Sequence, residues 1–227
     1  MVTHVLASSY RESSRVANGM YFTQACRRVE EASEASVFLI CDETRVAELA
    51  LGSVEWRGKT VLLVVPDAEA VAELYRERGA SVALVTVLDE LIPCHFFLEG
   101  DRAAVIAGRA LFESVQGEVS VTETGARLHI EAMRILAGPV LMAVLEGADL
   151  NLRQTGLGLD GIRRVLGRVA LETMRVHQRS QARTWQATDR KALERTLKAL
   201  ARTDPKLEQH LRASEAAARE LIENQKR

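Results

Sequence analysis

An α/β front domain with a mostly parallel sheet, followed by an all-α C-terminal domain, is the fold class that three features of the sequence predict. First, runs rich in Val and Leu at Ser36–Ile40, Thr60–Val65 and Ser81–Thr86 alternate with segments of helical spacing. Such alternation demands crossover connections and gives a parallel sheet covered on both faces. Second, from Ala126 onward the apolar residues recur at helical intervals, beginning with Leu128, Ile130, Ile135 and Leu136. Third, the net charge of −1 divides unevenly: residues 150–227 carry 17 Lys+Arg against 9 Asp+Glu, which leaves 13 against 22 in residues 1–149. An acidic front and a basic back mark two modules, residues 1–122 and 126–227, with different partners.

Each element has its own signal. Val2 to Ala7 reads as a short strand. Ser13 or Ser14 stands as the N-cap of a helix that Val16, Met20, Ala25, Val29 and Ala32 carry to Ser33. A short helix, Arg45 to Leu51, follows the first Val/Leu run, and a helix from Ala68 to Arg78, closed by Gly79, follows the second. The stretch Ile92 to Gly108 holds two apolar runs, His95–Leu98 and Ala103–Ile106, around Glu99-Gly100-Asp101-Arg102. A glycine between such runs predicts a β-hairpin. Gly117 to Thr122 reads as an edge strand, and the helix after Ala126 should bend at Gly138-Pro139. Asp160 caps a helix running to Ala187, Thr188-Asp189 restarts one to Arg202, and Asp204-Pro205 opens the last.

Composition excludes several classes. With 47% hydrophobic and 27% charged residues the chain reads as soluble and globular, and 4% aromatics is too few for a base-stacking platform. Cys26, Cys41 and Cys94 are odd in number and lie in apolar surroundings, which points to reduced thiols in a cytoplasmic protein. No secretory pattern opens the chain, and Ile135 to Leu145 is too short to span a bilayer, so no membrane partner is expected. No cofactor or metal is expected either. Gly156, Gly158 and Gly161 match the dinucleotide fingerprint, but helices surround them where the fingerprint needs a preceding strand.

In the front half a glycine precedes each of two strands, at Arg57-Gly58-Lys59 and Arg78-Gly79-Ala80, and the hairpin follows directly. Asp101 and Gly108 then stand at the spacing that ends the active-site motif of the phospholipase D superfamily. The order resembles one half of that family. Its histidine and lysine positions fall on Cys94 and Phe96, with His95 displaced by one and so turned to the other face of the strand. The resemblance therefore implies a phospholipase D-like half without catalysis, similar to the effector-sensing half of TrmB-type transcription regulators. A small-molecule effector would then sit at the carboxyl ends of the strands, near Asp42, Glu43, Asp67 and His95.

In the back half, Gly156, Ile162 and Val165 have the turn and locking spacing of a helix-turn-helix. Arg163, Arg164 and Arg168 would lie on the exposed face of its second helix, with Arg153, Gln154 and Thr155 toward the backbone of double-stranded DNA. Residues 161–203 hold 11 basic residues against three acids, the pattern of phosphate attraction. The expectation is a non-enzymatic, homodimeric, DNA-binding transcription regulator. The alternatives are an assembly protein that oligomerises through its C-terminal helices and a phospholipase D-like phosphodiesterase or nuclease.

Overall fold

Burial on both faces dictates the centre of the molecule. Val37–Cys41 is buried at every position, and only an interior strand of a covered parallel sheet makes that use of five apolar residues in a row. In the computed structural model, which describes residues 2–88, 93–180 and 190–224, the chain forms two units, Met1–Leu141 and Met142–Arg227. The first holds a seven-stranded sheet of β1 (Thr3–Leu6), β2 (Thr23–Ala25), β3 (Val37–Cys41), β4 (Thr60–Val64), β5 (Ser81–Leu88), β6 (His95–Gly100) and β7 (Glu118–Val121). Their order across the sheet is β2-β1-β3-β4-β5-β6-β7. Every neighbouring pair is parallel except β5 with β6, where Ala83 faces Gly100 and Leu88 faces His95.

Side chains that alternate along each strand feed two cores. Phe38, Ile40, Val61 and Leu63 pack on one face with Trp56 and Tyr75, whose rings meet edge-on at 4.7 Å. Both rings also satisfy their polar ends: the Trp56 indole donates to the Leu51 carbonyl at 3.0 Å, and the Tyr75 hydroxyl donates to the Ala47 carbonyl at 2.7 Å. Leu39, Leu62, Ala83 and Leu98 point to the other face, onto Phe96 and Phe112, which stack at 4.2 Å.

The helices of this unit are α1 (Tyr10–Asn18), α2 (Thr44–Leu51), α3 (Ala68–Glu77), α4 (Arg102–Glu113) and α5 (Ala126–Ile135). α1 departs from the expected helix at both ends. Ser9, not Ser13 or Ser14, is the N-cap. Ser13 is fully buried, and its hydroxyl accepts from the Ala7 amide at 2.9 Å, so it locks the helix onto the end of β1. The helix stops at Asn18, and the chain turns back through Phe22 at φ +55° to form β2 before a 3₁₀ turn at Val29–Ala32. Three residues are too few to leave an alternating pattern, so β2 was absorbed into the helix read to Ser33.

The expected hairpin is also corrected. His95–Gly100 is a strand, but Ala103–Ile106 belongs to α4. Ala104, Gly108, Leu111 and Phe112 are the buried positions of α4, a helical interval that the short run Ala103–Ile106 does not reveal. Asp101 and Gly108, which carried the likeness to phospholipase D, have structural work here. The Asp101 carboxylate accepts from the Val82 amide at 2.7 Å and from Arg76 at 3.3 Å, and Gly108 brings α4 onto Leu62 and Leu98. The strand on which that family's motif would continue does not exist. Ile92, the helix end at Ala187 and the restart at Thr188-Asp189 lie outside the described residues.

After α5 a π-helical turn at Leu136–Val140 takes up Pro139 where the bend was expected, and α6 (Leu141–Arg153) follows. The second unit then contains α7 (Leu159–Ser180), α8 (Arg190–Thr203) and α9 (Pro205–Asn224). Asp204 caps α9 through the Leu207 amide at 3.0 Å, as its sequence predicts. Gly156 turns the chain between α6 and α7, but the helix-turn-helix lock does not form: Ile162 is buried whereas Val165 is 45% exposed. Among the described residues of this unit, Ile162 and Leu197 are the buried apolar side chains, while Met142, Val144, Val169 and Met174 are all more than half exposed.

Candidate functional site

Strand order determines where a ligand can enter. β1 leads outward to β2, and the chain then crosses back over β1 to β3 on its other side, so the carboxyl ends of β1 and β3 are left with a crevice between them. The turn Ala7-Ser8-Ser9 leaves β1 on one lip, and Asp42, held at φ +86°, ends β3 on the other. The Ser8 hydroxyl donates to the Asp42 carboxylate across the opening. Beside this turn is a cleft of about 350 Å³, lined by Ala7, Ser8, Arg27, Arg28, Val46 and Ser53 among others. Arg27 and Arg28 follow the end of β2 and stay exposed at its rim. The Arg27 guanidinium lies 4.9 Å over the Tyr10 ring, and Arg28 is 3.8 Å from Glu31.

A crevice of this kind is where α/β folds seat dinucleotides, and the residues can be compared with that role. The fingerprint for the first turn places glycines at intervals of two and three residues; Ala7, Ser9 and Glu12 stand there instead. Ser9 has an extended backbone, φ −145°, and its hydroxyl accepts from the Glu12 amide at 3.3 Å. Hydroxyl and amide donors for a pyrophosphate are therefore present, while the close backbone approach that glycine allows is not. At the outer end the fit is direct. Twenty residues beyond Ala7, where an acid would read a free ribose 2′-hydroxyl, the chain has Arg27 and Arg28, the residue type that accommodates a 2′-phosphate.

A second cavity, of about 460 Å³, opens at the same end of the sheet. β4 pairs with β5 only as far as Leu63 with Leu84; beyond it the strands part, and Val65, Thr86, Asp67, Glu69, Arg127 and Glu131 line the gap with their neighbours. One buried carboxylate organises this wall. Glu99, on β6, accepts from the amides of Gly125 at 2.7 Å and Arg127 at 3.1 Å and so holds the N-terminus of α5, where negative charge is favoured. Arg127 then reaches the carbonyl of Val65 at 2.8 Å, the acceptor that the parting of β4 from β5 leaves over, and lies 3.9 Å from Glu69.

The residues expected to bind an effector are divided by the structure. Asp42 and Asp67 do lie at strand carboxyl ends on the two openings, and Asp67 takes a left-handed backbone, φ +45°, without capping α3 through its side chain. Glu43 precedes α2, also without a side-chain cap. His95 is remote in the sheet, bonded to Glu118 at 3.2 Å and Ser120 at 2.9 Å on β7 and stacked on Phe97. In the second unit Arg153 pairs with Asp149 at 2.7 Å, Gln154 and Thr155 lie in the turn, and Arg163, Arg164 and Arg168 are exposed along α7. Cys26 and Cys41 are inert, since burial pushes their thiols up to about 11 and about 12. No group of three or more His, Cys, Asp or Glu is placed to hold a metal among the described residues. Sequence reasoning missed Arg27, Arg28, Thr86, Arg127 and Glu131. The adjacent arginines at that distance from the first strand were the available signal, hidden by the failure to see β2.

No family model matches the chain, and no curated protein is similar to it in sequence. Solved structures do share its fold. An imine reductase from Myxococcus stipitatus in complex with NADP+ superposes with a TM-score of 0.65 at 14% identity, over 99% of this chain and 95% of that one. An imine reductase from Streptomyces aurantiacus gives 0.64 at 15% identity, over 93% and 92%. A Plasmodium falciparum pyrroline carboxylate reductase with NADP bound gives 0.59 at 12%, over 97% and 96%. The fold is thus one that these solved structures share, not a phospholipase D-like half. This overturns the expected DNA-binding regulator and its double-stranded DNA partner, whose support was the likeness to TrmB-type regulators, the basic residues of the back half and a turn that forms no lock. The assembly-protein and phosphodiesterase alternatives fit no better. The expectation of a non-enzyme falls as well, because it rested on missing residues of a motif belonging to a different fold.

Proposed function

We propose that the chain is a cytoplasmic, homodimeric reductase that uses a nicotinamide dinucleotide bearing a 2′-phosphate. One observation carries the reading: at the switch of strand order the β1 turn is flanked by a cleft that a pair of arginines after β2 lines, and the cavity at the ends of β4 and β5 opens at the same end of the sheet. Arg27 and Arg28 would hold the 2′-phosphate, and the Ser8 and Ser9 turn with the first amides of α1 would face the pyrophosphate. A reduced nicotinamide supplies a hydride when bound; the protein's part is to hold and orient the substrate beside it. The dinucleotides bound in the similar structures, NADP+ and NADP, agree with the arginine pair. Titration with NADPH and NADH, followed by ligand fluorescence, tests it. NADPH should bind saturably and about tenfold or more tighter than NADH. Equal affinity for the two, or binding of neither, removes the reading.

The helices support the homodimer. Ala126–Arg153 is a helical run of 28 residues with a window of mean hydropathy 1.6 and none of it buried, long and apolar enough by length and composition to cross a bilayer. The helix α7 adds a stripe of Val165, Val169 and Val176, each more than a third exposed. Surfaces of this extent are covered in a folded soluble protein, and a second copy presents a matching one. Light scattering behind gel filtration should give twice the 25.1 kDa chain mass, and Val165→Glu with Val169→Glu should abolish the dimer. A monomer, or material that requires detergent, would refute it.

A further inference from the structure

The cavity where β4 parts from β5 contains a cation with a donor to spare. The Arg127 side chain is only 13% exposed, and it lines that cavity. Its Nη2 donates to the Val65 carbonyl at 2.8 Å, and its Nε stays 3.9 Å from the Glu69 carboxylate, beyond hydrogen-bond reach. Its Nη1 is buried and has no partner among the described residues. Few proteins leave a buried donor unpaired, and the loss is larger on a charged group. Nor is this one free to turn toward a partner of its own. The Arg127 amide is tied to Glu99, itself 7% exposed, and the guanidinium is tied to Val65. The acceptor has to be brought to it.

The surroundings decide what kind of acceptor that is. Asp67, Glu69 and Glu131 share the lining with Arg127 and Arg134, and Arg134 is already engaged. Asp67 and Glu69 are exposed, and Glu131 is half-buried. A ligand carboxylate would satisfy Arg127 but add its charge to a lining that already sets three acids against two bases. An uncharged carbonyl oxygen satisfies Arg127 without that repulsion. Glu131 lies one turn beyond Arg127 on the same face of α5, so an acceptor stands beside the donor, and no ion pair joins the two among the described residues. A primary carboxamide presents the matching pair, a carbonyl oxygen and an N–H. Thr86, 6% exposed and also lining the cavity, adds a hydroxyl that can serve either atom.

We infer that the cavity is a primary-carboxamide site, in which Arg127 Nη1 donates to the amide oxygen and the Glu131 carboxylate accepts from the amide nitrogen. The dinucleotide proposed above carries such a group on its nicotinamide ring, and a second ligand bearing a carboxamide is the other source of the same chemistry. In the first case, which rests on the reductase reading, Arg127 and Glu131 are positioning residues. The two ends of the amide differ, so a donor and an acceptor held side by side fix which face of the ring is turned to a substrate. The carboxamide site itself stands on the cavity's own groups.

Ligand-observed NMR and calorimetry on the full-length protein test it without any turnover. The probes are nicotinamide, nicotinate and 3-acetylpyridine, one pyridine ring bearing in turn an amide, a carboxylate and a carbonyl that lacks the N–H. Nicotinamide should bind saturably and about tenfold or more tighter than nicotinate. Arg127→Met should weaken nicotinamide and 3-acetylpyridine alike, by about tenfold, since both use the oxygen. Glu131→Ala should weaken nicotinamide several-fold, leave 3-acetylpyridine unchanged and bring nicotinate closer. A merely structural role would move all three probes together, and this second variant decides the matter even where Arg127→Met lowers the melting temperature. Nicotinate binding as tight as nicotinamide, a Glu131→Ala loss shared by 3-acetylpyridine, or nicotinamide binding indifferent to both substitutions overturns the inference. NADPH is titrated in parallel. Its displacement of nicotinamide identifies the dinucleotide's own ring as the occupant, and simultaneous binding identifies a second ligand. NADPH binding with no nicotinamide binding overturns the inference alone; nicotinamide binding with no NADPH binding overturns the reductase reading and leaves the carboxamide site intact.

Discussion

Replacing Arg27 and Arg28 together by Gln should weaken NADPH by roughly 30-fold and leave NADH almost unchanged, which erases the preference between them. Hydrogen bonds to charged groups contribute about 1.5–3 kcal/mol each, and solvent exposure at the rim of the cleft lowers that, so about 2 kcal/mol for the pair is a fair expectation. The two positions are suited to the test. They leave β2 for the 3₁₀ turn at Val29–Ala32, and neither belongs to a core, so their loss should not disturb folding. The Arg28–Glu31 contact at 3.8 Å is an exposed pair of small worth. Ser9→Gly is the companion experiment in the opposite direction. It returns to the β1 turn the backbone approach that a side chain denies, at the cost of a few tenths of a kcal/mol in helix capping, and should tighten both dinucleotides. Should the double Gln variant bind NADPH as the parent does, the arginines are not the phosphate site.

Gly100→Ala should be the most damaging single substitution in the sheet. Gly100 sits at φ +141°, and a Cβ there would fall 2.3 Å from the Val82 carbonyl oxygen and 2.9 Å from the Ala83 Cα. Both neighbours are backbone of β5, so neither can swing aside as a side chain would. Backbone strain of 1–3 kcal/mol and the overlap together come to about 4 kcal/mol, or a fall in melting temperature of about 8–16 °C for a chain of this size. Gly52→Ala is the control, since its Cβ would meet nothing within 4 Å and its φ is negative; it should be close to neutral. Thermal denaturation of both variants beside the parent decides the matter, and an equal effect of the two would contradict the close approach of β6 to β5.

Which parts of this architecture could be read from the residues follows from how far each pattern extends. β3, β4 and β5 were legible because each is a run of apolar residues long enough to be buried on both faces, and their alternation with helices fixed a mostly parallel sheet. β7 was legible as an edge strand from its short polar-apolar alternation. β2 was not, for its three residues lie between stretches that fit a helical interval by chance. That omission had a large consequence. Without β2 there is no reversal of strand order at β1, hence no crevice to look for, and the arginines following it lose their meaning. The segment after Gly100 failed for a different reason: Ala103–Ile106 is equally apolar as strand or helix, and the arbiter is the distant pair Leu111 and Phe112 packing back on the sheet. Basic residues in the last third were visible at once, but charge on a helix surface states no partner by itself. The cavity at β4 and β5 was beyond reach from the residues, because the point where two strands stop pairing is a property of register.

The helices of the second unit have a thermodynamic corollary. In the proposed dimer a second copy would cover the exposed aliphatic side chains of these helices, and their stability would then be shared with the law of mass action, so that dilution would act as a mild denaturant. The melting point of such a dimer would be a function of how much protein is in the tube, and in the cell its persistence would be tied to the level at which it is made.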